Sequence, residues 1–407
     1  MERKAERVNY PVMAVFMLIM IALGISDSNR GVFSTVFEKG LNLSKPQVSL
    51  IVTVSYLGNL LFMLLGGNAA DRFDRKKACM SILGLWTLAQ VLFACTDNYV
   101  CLLLGMFVSM GASTLMNTMM NILSPLFFGT MAGLYVNVLF FVQGIGTSGN
   151  QKITGTLATD YNDYRFLCLG LAAVGMVSLI LLGMAKFKSA DETKPGDSVS
   201  ADGVANRERA SVGKKGFRAA FNGTVLAMGL VFGFYFVAEH GIMNWWAMYC
   251  RQGLGLTGSR ASTSVSLFFG TMTLGRLVMA PLVQKLGNRK SIALFGGIGS
   301  VLYILGILLG ADGTLILGLS GICISVIYPT IVLLLQDIFP GDRIATVTGV
   351  VISIGTLFDI AFNAVFGSLV DAAGFSVCRV IFPVAILIFY GGFLIVSKMG
   401  NKKSIGR

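Results

Sequence analysis

Charge is scarce in this chain: Asp, Glu, Lys and Arg make up only 13% of its 407 residues, against 55% hydrophobic residues. A soluble domain carries about twice that charged fraction, so composition excludes an ordinary water-soluble fold. Histidine occurs once, and no nucleophile stands near it in a pattern that would make a hydrolase. No glycine-rich phosphate loop is present, which excludes an ATP-hydrolysing domain. The seven cysteines are an odd number, lie mostly in or beside apolar runs, and lack metal-ligand spacing. They read as small packing residues, not as a disulfide or zinc framework. We therefore expect no enzymatic activity, no cofactor and no metal.

Apolar length, by contrast, is abundant. Mean hydropathy is +0.75, and runs long enough to cross a bilayer as helices, roughly 20 residues each, recur twelve times. They fall near 11–33, 47–67, 78–96, 100–123, 131–154, 165–185, 222–249, 261–283, 291–310, 314–337, 345–370 and 379–397. The start MERKAERVNY is basic, but it leads into no cleavage-site pattern, so span 1 reads as an uncleaved helix. The formal net charge of +12 raises the question of nucleic acid. Its distribution answers it, because 23 of the 32 Lys and Arg lie at the N-terminus, in the even-numbered loops or in the C-terminal tail. That is the positive-inside bias, which places both termini in the cytoplasm of a plasma (bacterial inner) membrane protein and explains the charge without nucleic acid. Some of these bases also suit anionic lipid headgroups.

The one long polar stretch, Lys186–Arg218, is rich in Ser, Gly, Asp and Lys and poor in large apolar residues. It reads as a cytoplasmic linker between two six-span halves, 1–185 and 219–407. A short charged turn, Gly66–Lys77 (GGNAADRFDRKK), joins spans 2 and 3. A weaker copy, Ala280–Lys290 (APLVQKLGNRK), recurs half a chain later, with Gln284 and Asn288 in place of an acid and a base. An internal repeat of this kind places a solute site near the midplane, between the halves.

The first copy resembles the loop signature G-x-x-x-D-R-x-[GD]-R-K-K of the major facilitator superfamily, with Asp74 where that family usually has Gly. The resemblance implies an all-α membrane protein of twelve helices in two pseudo-symmetric six-helix bundles. It also implies that Gly67, Asp71, Arg72, Arg75 and Lys76 control switching between conformations. A narrower resemblance, to the fucose-permease-like sugar/proton symporters, rests on spans 4–5 and 7–8. Those spans carry Asn117-TMM-Asn121, Asn137-VLFFVQGI-Gly146, Tyr235-FVA-Glu239-HGIMN-Trp245-WAM-Tyr249 and Ser266-LFFGTMTLG-Arg276. Phe140 stands where that subgroup commonly has His, and the usual span 5 Pro is absent. The Gly-Pro pair typical of drug efflux is absent too, which favours uptake.

An ionisable group at membrane depth is costly and usually functional. Asp27 on span 1 and Glu239 on span 7 are the candidates for proton coupling. Arg30 shares a face with Asp27, and the competing reading is a static ion pair. On an ideal helix Tyr235, Glu239, Trp246 and Tyr249 form one stripe bordered by Trp245. Aromatic faces beside a carboxylate suit a sugar, while the competing reading is an interfacial aromatic belt. His240 points away from Glu239 and reads as a packed, hydrogen-bonded residue. Ser113, Asn117, Asn121 and Ser124 make a polar stripe on span 4, which either lines a wet cavity or bonds two helices. Gln143 and Lys152 on span 5, Tyr328 on span 10, and Asp359, with Thr356 and Asn363, on span 11 complete the candidate solute-binding set. Pro329 marks a kink. These residues together imply proton-coupled import of a small polar solute, a sugar or sugar derivative, by a monomer. The alternatives are a uniporter or exchanger of an organic anion held by Arg30 and Lys152, and a non-transporting membrane sensor.

Overall fold

The computed structural model describes residues 10–70, 74–128, 132–185, 223–338 and 344–404. Every regular element among them is a helix. In the first half of the sequence these are α1 (Tyr10–Val32), α2 (Ser34–Gly40), α3 (Lys45–Ala70), α4 (Arg75–Cys95), α5 (Tyr99–Phe128), α6 (Ala132–Leu157) and α7 (Tyr161–Met184). The second half begins with α8 (Gly223–Gly241), a π turn (Ile242–Trp246) and α9 (Ala247–Gln252), then α10 (Gly258–Val278), α11 (Ala280–Leu286) and α12 (Asn288–Ser291). A second π turn (Ile292–Gly296) leads into α13 (Gly297–Leu308), α14 (Thr314–Ile324), α15 (Ile327–Ile338), α16 (Ile344–Ala373), α17 (Phe375–Cys378) and α18 (Ile381–Ser404).

Ten helical stretches are long and apolar enough to cross a membrane, and α10 with α11, bent by 54°, makes an eleventh. The remaining expected span is α6, of 26 residues, whose Gln143, Thr147, Asn150, Gln151 and Lys152 dilute its apolar character. Large apolar side chains face outward: Phe166 is 72% exposed, Leu315 69% and Ile395 64%. Water would penalise that surface, whereas lipid satisfies it.

Contacts divide the chain into two compact units that do not follow the order of the sequence. One contains α1 to Asp27, Val54–Gly146 and α7; the other contains Ser28–Thr53, Thr147–Asp160 and the helices from Gly223 onward. The unit boundary therefore cuts α1, α3 and α6. In the first unit the core joins Phe16, Leu23, Leu83, Trp86, Met116 and Leu139. Lipid removes most of the hydrophobic drive between helices, so close backbone approach matters more. Gly146 shows why: a Cβ there would stand 2.4 Å from the Ile21 carbonyl oxygen. Gly146→Val is expected to cost about 1–3 kcal/mol of stability, read as a lower thermal midpoint in detergent.

The break expected near Pro329 lies at Ser325–Val326, between α14 and α15. Proline has no N–H to offer the carbonyl four residues back, that of Ser325, so the helix interrupts there.

Candidate functional site

In the first unit, Asp27 is held from α5 and α6. Ser113 Oγ donates to Asp27 Oδ2 at 2.9 Å, and Gln143 Nε2 lies 3.5 Å from the same oxygen. Behind it, Gln90 Nε2 donates to Ser26 Oγ (3.1 Å) and Ser109 Oγ (2.9 Å), and all three residues are buried. This network fixes the rotation of α1 against α4 and α5. One and two turns along α5 from Ser113 lie Asn117 and Asn121. Asn121 Nδ2 donates to the Asn117 carbonyl (3.2 Å), while both Oδ1 atoms are buried with no hydrogen-bond partner. Buried acceptors in that condition call for a donor, and a solute hydroxyl is one.

In the second unit, Glu239 and His240 are half-buried at the end of α8, just before the first π turn. The Tyr235 hydroxyl lies in hydrogen-bonding reach of Glu239; Arg276 and Tyr328 stand near Tyr235, and Tyr303 stands near Glu239. His240 Nδ1 meets Asp359 Oδ2 at 2.6 Å. Phe236 stacks on His240 with centroids 5.1 Å apart, and Phe236 and Tyr328 stack at 6.2 Å.

The ideal-helix stripe is broken here. A π turn adds about one residue to a helical turn, rotating the residues beyond it by roughly 100°. As a result His240 and Trp245, five residues apart, both face α16. Trp245 Nε1 donates to Asn363 Oδ1 (3.0 Å), Trp246 Nε1 donates to Ser264 Oγ (2.8 Å), and Arg379 Nη1 donates to the Tyr249 hydroxyl (2.7 Å). The three rings are at most 2% exposed. The ring surface next to His240 comes instead from Phe236 and Tyr328.

Arg30 is 4% exposed, and its Nε donates to Asn244 Oδ1 at 2.9 Å while Nη2 reaches Met243 Sδ. Lys152 is exposed and donates to Thr263 Oγ1 (2.5 Å), with Ser259 Oγ at 3.5 Å. Asp359 is committed to His240 and Asn363. Sequence reasoning took His240 and Asp359 as separate residues; the signal that joins them is the polar spacing on α16 combined with an i, i+5 spacing across the π turn.

Of the switch residues, Asp71 and Arg72 lie outside the described residues, as does the 186–218 linker. Gly67 lies within α3, and Arg75 opens α4. Asp74 caps α4 by accepting from Lys77 N (2.9 Å), a physical reason for an acid at this position. Lys76 Nζ donates to the carbonyls of Gly183 (2.6 Å) and Ala185 (2.8 Å) at the end of α7. The weaker signature copy does the same in the other unit, where Arg289 donates to the Ser397 carbonyl of α18. Lys76 sits at the C-terminal end of α7, where the helix dipole is negative. Lys76→Met is expected to slow solute flux about tenfold while solute affinity stays within about threefold, measured as initial rates against binding.

Apolar spans with polar clusters buried at their centres, and no catalytic constellation among the described residues, define a membrane protein that handles a solute. The Major Facilitator Superfamily matches residues 12–362, and the chain belongs to that family of transporters. Solved structures share the fold. The E. coli fucose:proton symporter (N162A) aligns over 96% of this chain and 99% of its own at 15% identity, with a TM-score of 0.60. A D-xylose-proton symporter aligns over 94% and 98% at 14% identity and 0.69. A nucleoside transporter aligns over 96% and 99% at 13% identity and 0.72. No curated protein sequence matches the chain.

Proposed function

We propose that this transporter imports a small hydroxylated solute, a monosaccharide or sugar derivative, together with a proton by alternating access. The observation that carries the reading is the Asp27 cluster: a carboxylate held by a serine hydroxyl, with partnerless amide oxygens of Asn117 and Asn121 further along α5. Such a group can take up a proton when removed from water and give it back when water or a donor returns. The amides offer hydrogen bonds to hydroxyls. Glu239, beside Tyr235, is the second acid, and it serves both proton coupling and hydroxyl binding. Similar structures bear names that point the same way, since fucose, xylose and nucleosides are all polyhydroxylated.

In this reading the halves 1–185 and 219–407 are the two six-helix bundles, the protein works as a monomer in a bacterial inner membrane, and both termini are cytoplasmic. Arg30 Nε donates to Asn244 and Lys152 Nζ to Thr263, which favours a role for both within the protein over anion binding. The deciding experiment is uptake of labelled fucose, xylose and a nucleoside into proteoliposomes, with and without an inward proton gradient. Accumulation of one of them that collapses with a protonophore is the expected result. Gradient-independent counterflow confined to a sugar acid would overturn it in favour of an anion exchanger. A tag at Arg407 accessible only from outside the cell would overturn the topology.

A further inference from the structure

Arg251 carries a positive charge that no acid among the described residues balances. A guanidinium stays protonated in proteins and offers five N–H donors. Nη1 donates to Thr35 Oγ1 at 3.0 Å and Nη2 to the Gly155 carbonyl at 2.6 Å, while Nε is buried with no hydrogen-bond partner. The ion pairs among the described residues are Lys45–Glu38 and His240–Asp359, so no carboxylate meets Arg251. A half-buried charge held only by neutral oxygens is costly, and an anion beside it removes that cost.

Its position sharpens the imbalance. The Arg251 backbone lies at the end of α9, but its guanidinium lies at the start of α10. A Cβ on Gly258 would stand 3.1 Å from Arg251 Nη2 and 3.4 Å from the Gly155 carbonyl oxygen. Gly258 is the first residue of this 21-residue helix, with Thr257 as its N-cap. A helix N-terminus is the positive end of the dipole, which disfavours a cation and attracts an anion.

Arg251 and Gly258 line a cavity of about 340 Å³ whose walls include Thr35, Lys39, Thr156 and Thr159. Thr35 is 6% exposed and accepts from Arg251, which leaves its own hydroxyl hydrogen to donate. Lys39 is exposed and makes no hydrogen bond or ion pair among the described residues. No Asp or Glu lines the cavity. Glu38, next to Lys39 in sequence, is taken by Lys45 and Gln252. Two cations, a helix N-terminus and a spare hydroxyl therefore meet in one space, and they come from α2, α9 and α10. A guanidinium suits an oxyanion, and donors on three elements call for one with oxygens on several sides, as phosphate has.

We propose that this cavity binds a phosphate group, and that the bound group fastens α2 and the end of α6 to α9 and α10. The source is either a free phosphate compound or a phospholipid headgroup. None of the lining residues belongs to the solute-binding set proposed above, so the site stands whatever the solute is.

The test uses full-length protein in phosphatidylcholine nanodiscs, with 32P-labelled inorganic phosphate in equilibrium dialysis at fixed ionic strength. Saturable binding at a single site is expected. Lys39→Gln is expected to weaken it about threefold. Arg251→Lys keeps the charge but loses the planar fork, and is expected to weaken it about tenfold. Binding that does not saturate, or wild-type affinity in either variant, overturns the site. Lys39→Gln removes no protein hydrogen bond, so it decides the question alone should Arg251→Lys fail to fold. Hydrogen exchange reads the fastening and the source. Amide protection in Ser34–Gly40 and in residues 156–159 is expected to rise about threefold with phosphate in the wild type, and less in Lys39→Gln. The same rise in phosphatidylglycerol nanodiscs without phosphate supports the site with a lipid headgroup as its ligand; a rise with phosphate alone supports it with the free anion. No rise under either condition overturns the fastening.

Discussion

Asp27→Asn is expected to abolish uphill solute accumulation in proteoliposomes while leaving solute counterflow within about threefold of wild type. The asparagine keeps an oxygen to accept from Ser113, whose Oγ lies 2.9 Å from Asp27 Oδ2, so the local packing survives. The ability to gain and lose a proton disappears. Net symport requires that step, because each cycle must load a proton on one side and release it on the other. Exchange requires only that the loaded carrier reorient, and Asn resembles the protonated acid in charge. Initial rates of uptake and counterflow, measured on the same liposomes, check the separation. Full proton-driven accumulation in Asp27→Asn would move the coupling role elsewhere.

Glu239→Gln is expected to act on the solute instead, raising its half-saturation concentration by roughly 10- to 100-fold. A hydrogen bond to a charged group is worth about 1.5–3 kcal/mol, and each 1.4 kcal/mol is tenfold in affinity. Glu239 is only half-buried, so its carboxylate can meet a ligand, and the Tyr235 hydroxyl beside it helps to fix its rotamer. Trp245→Phe provides the contrast. It removes the Nε1–H that Asn363 accepts at 3.0 Å and leaves a buried amide oxygen unsatisfied, at a cost of about 1–3 kcal/mol in stability. Isothermal solute titration and thermal unfolding of the two variants separate these effects. A Glu239→Gln protein with wild-type affinity would remove Glu239 from the solute site.

The membrane class and the helical fold were legible in the sequence because they depend on one-dimensional quantities. Apolar length decides whether a helix can span lipid, and the loop signatures identify the family whose profile matches residues 12–362. The polar stripe of Ser113, Asn117 and Asn121 was equally readable, since α5 keeps the 3.6-residue period through all three. On the Glu239 side the same reasoning met a π turn. Composition gives no warning of Ile242–Trp246, and periodicity extrapolated through it assigns Trp246 and Tyr249 to a face with Glu239. In the structure these two rings are instead packed against Ser264 and Arg379.

The sequence by itself determined that the chain crosses a membrane, that it is helical throughout its spans, that it repeats a charged turn, and that a few acids sit at membrane depth. These properties stem from the cost of exposing backbone and charge to lipid, which acts on each segment separately. Tertiary structure alone decided which polar residues meet. The pairing of His240 with Asp359, the capping of α7 by Lys76, and the seating of Ser28–Thr53 with helices more than two hundred residues later are long-range contacts. They depend on helix rotation, and one extra residue in a turn changes that rotation by about 100°.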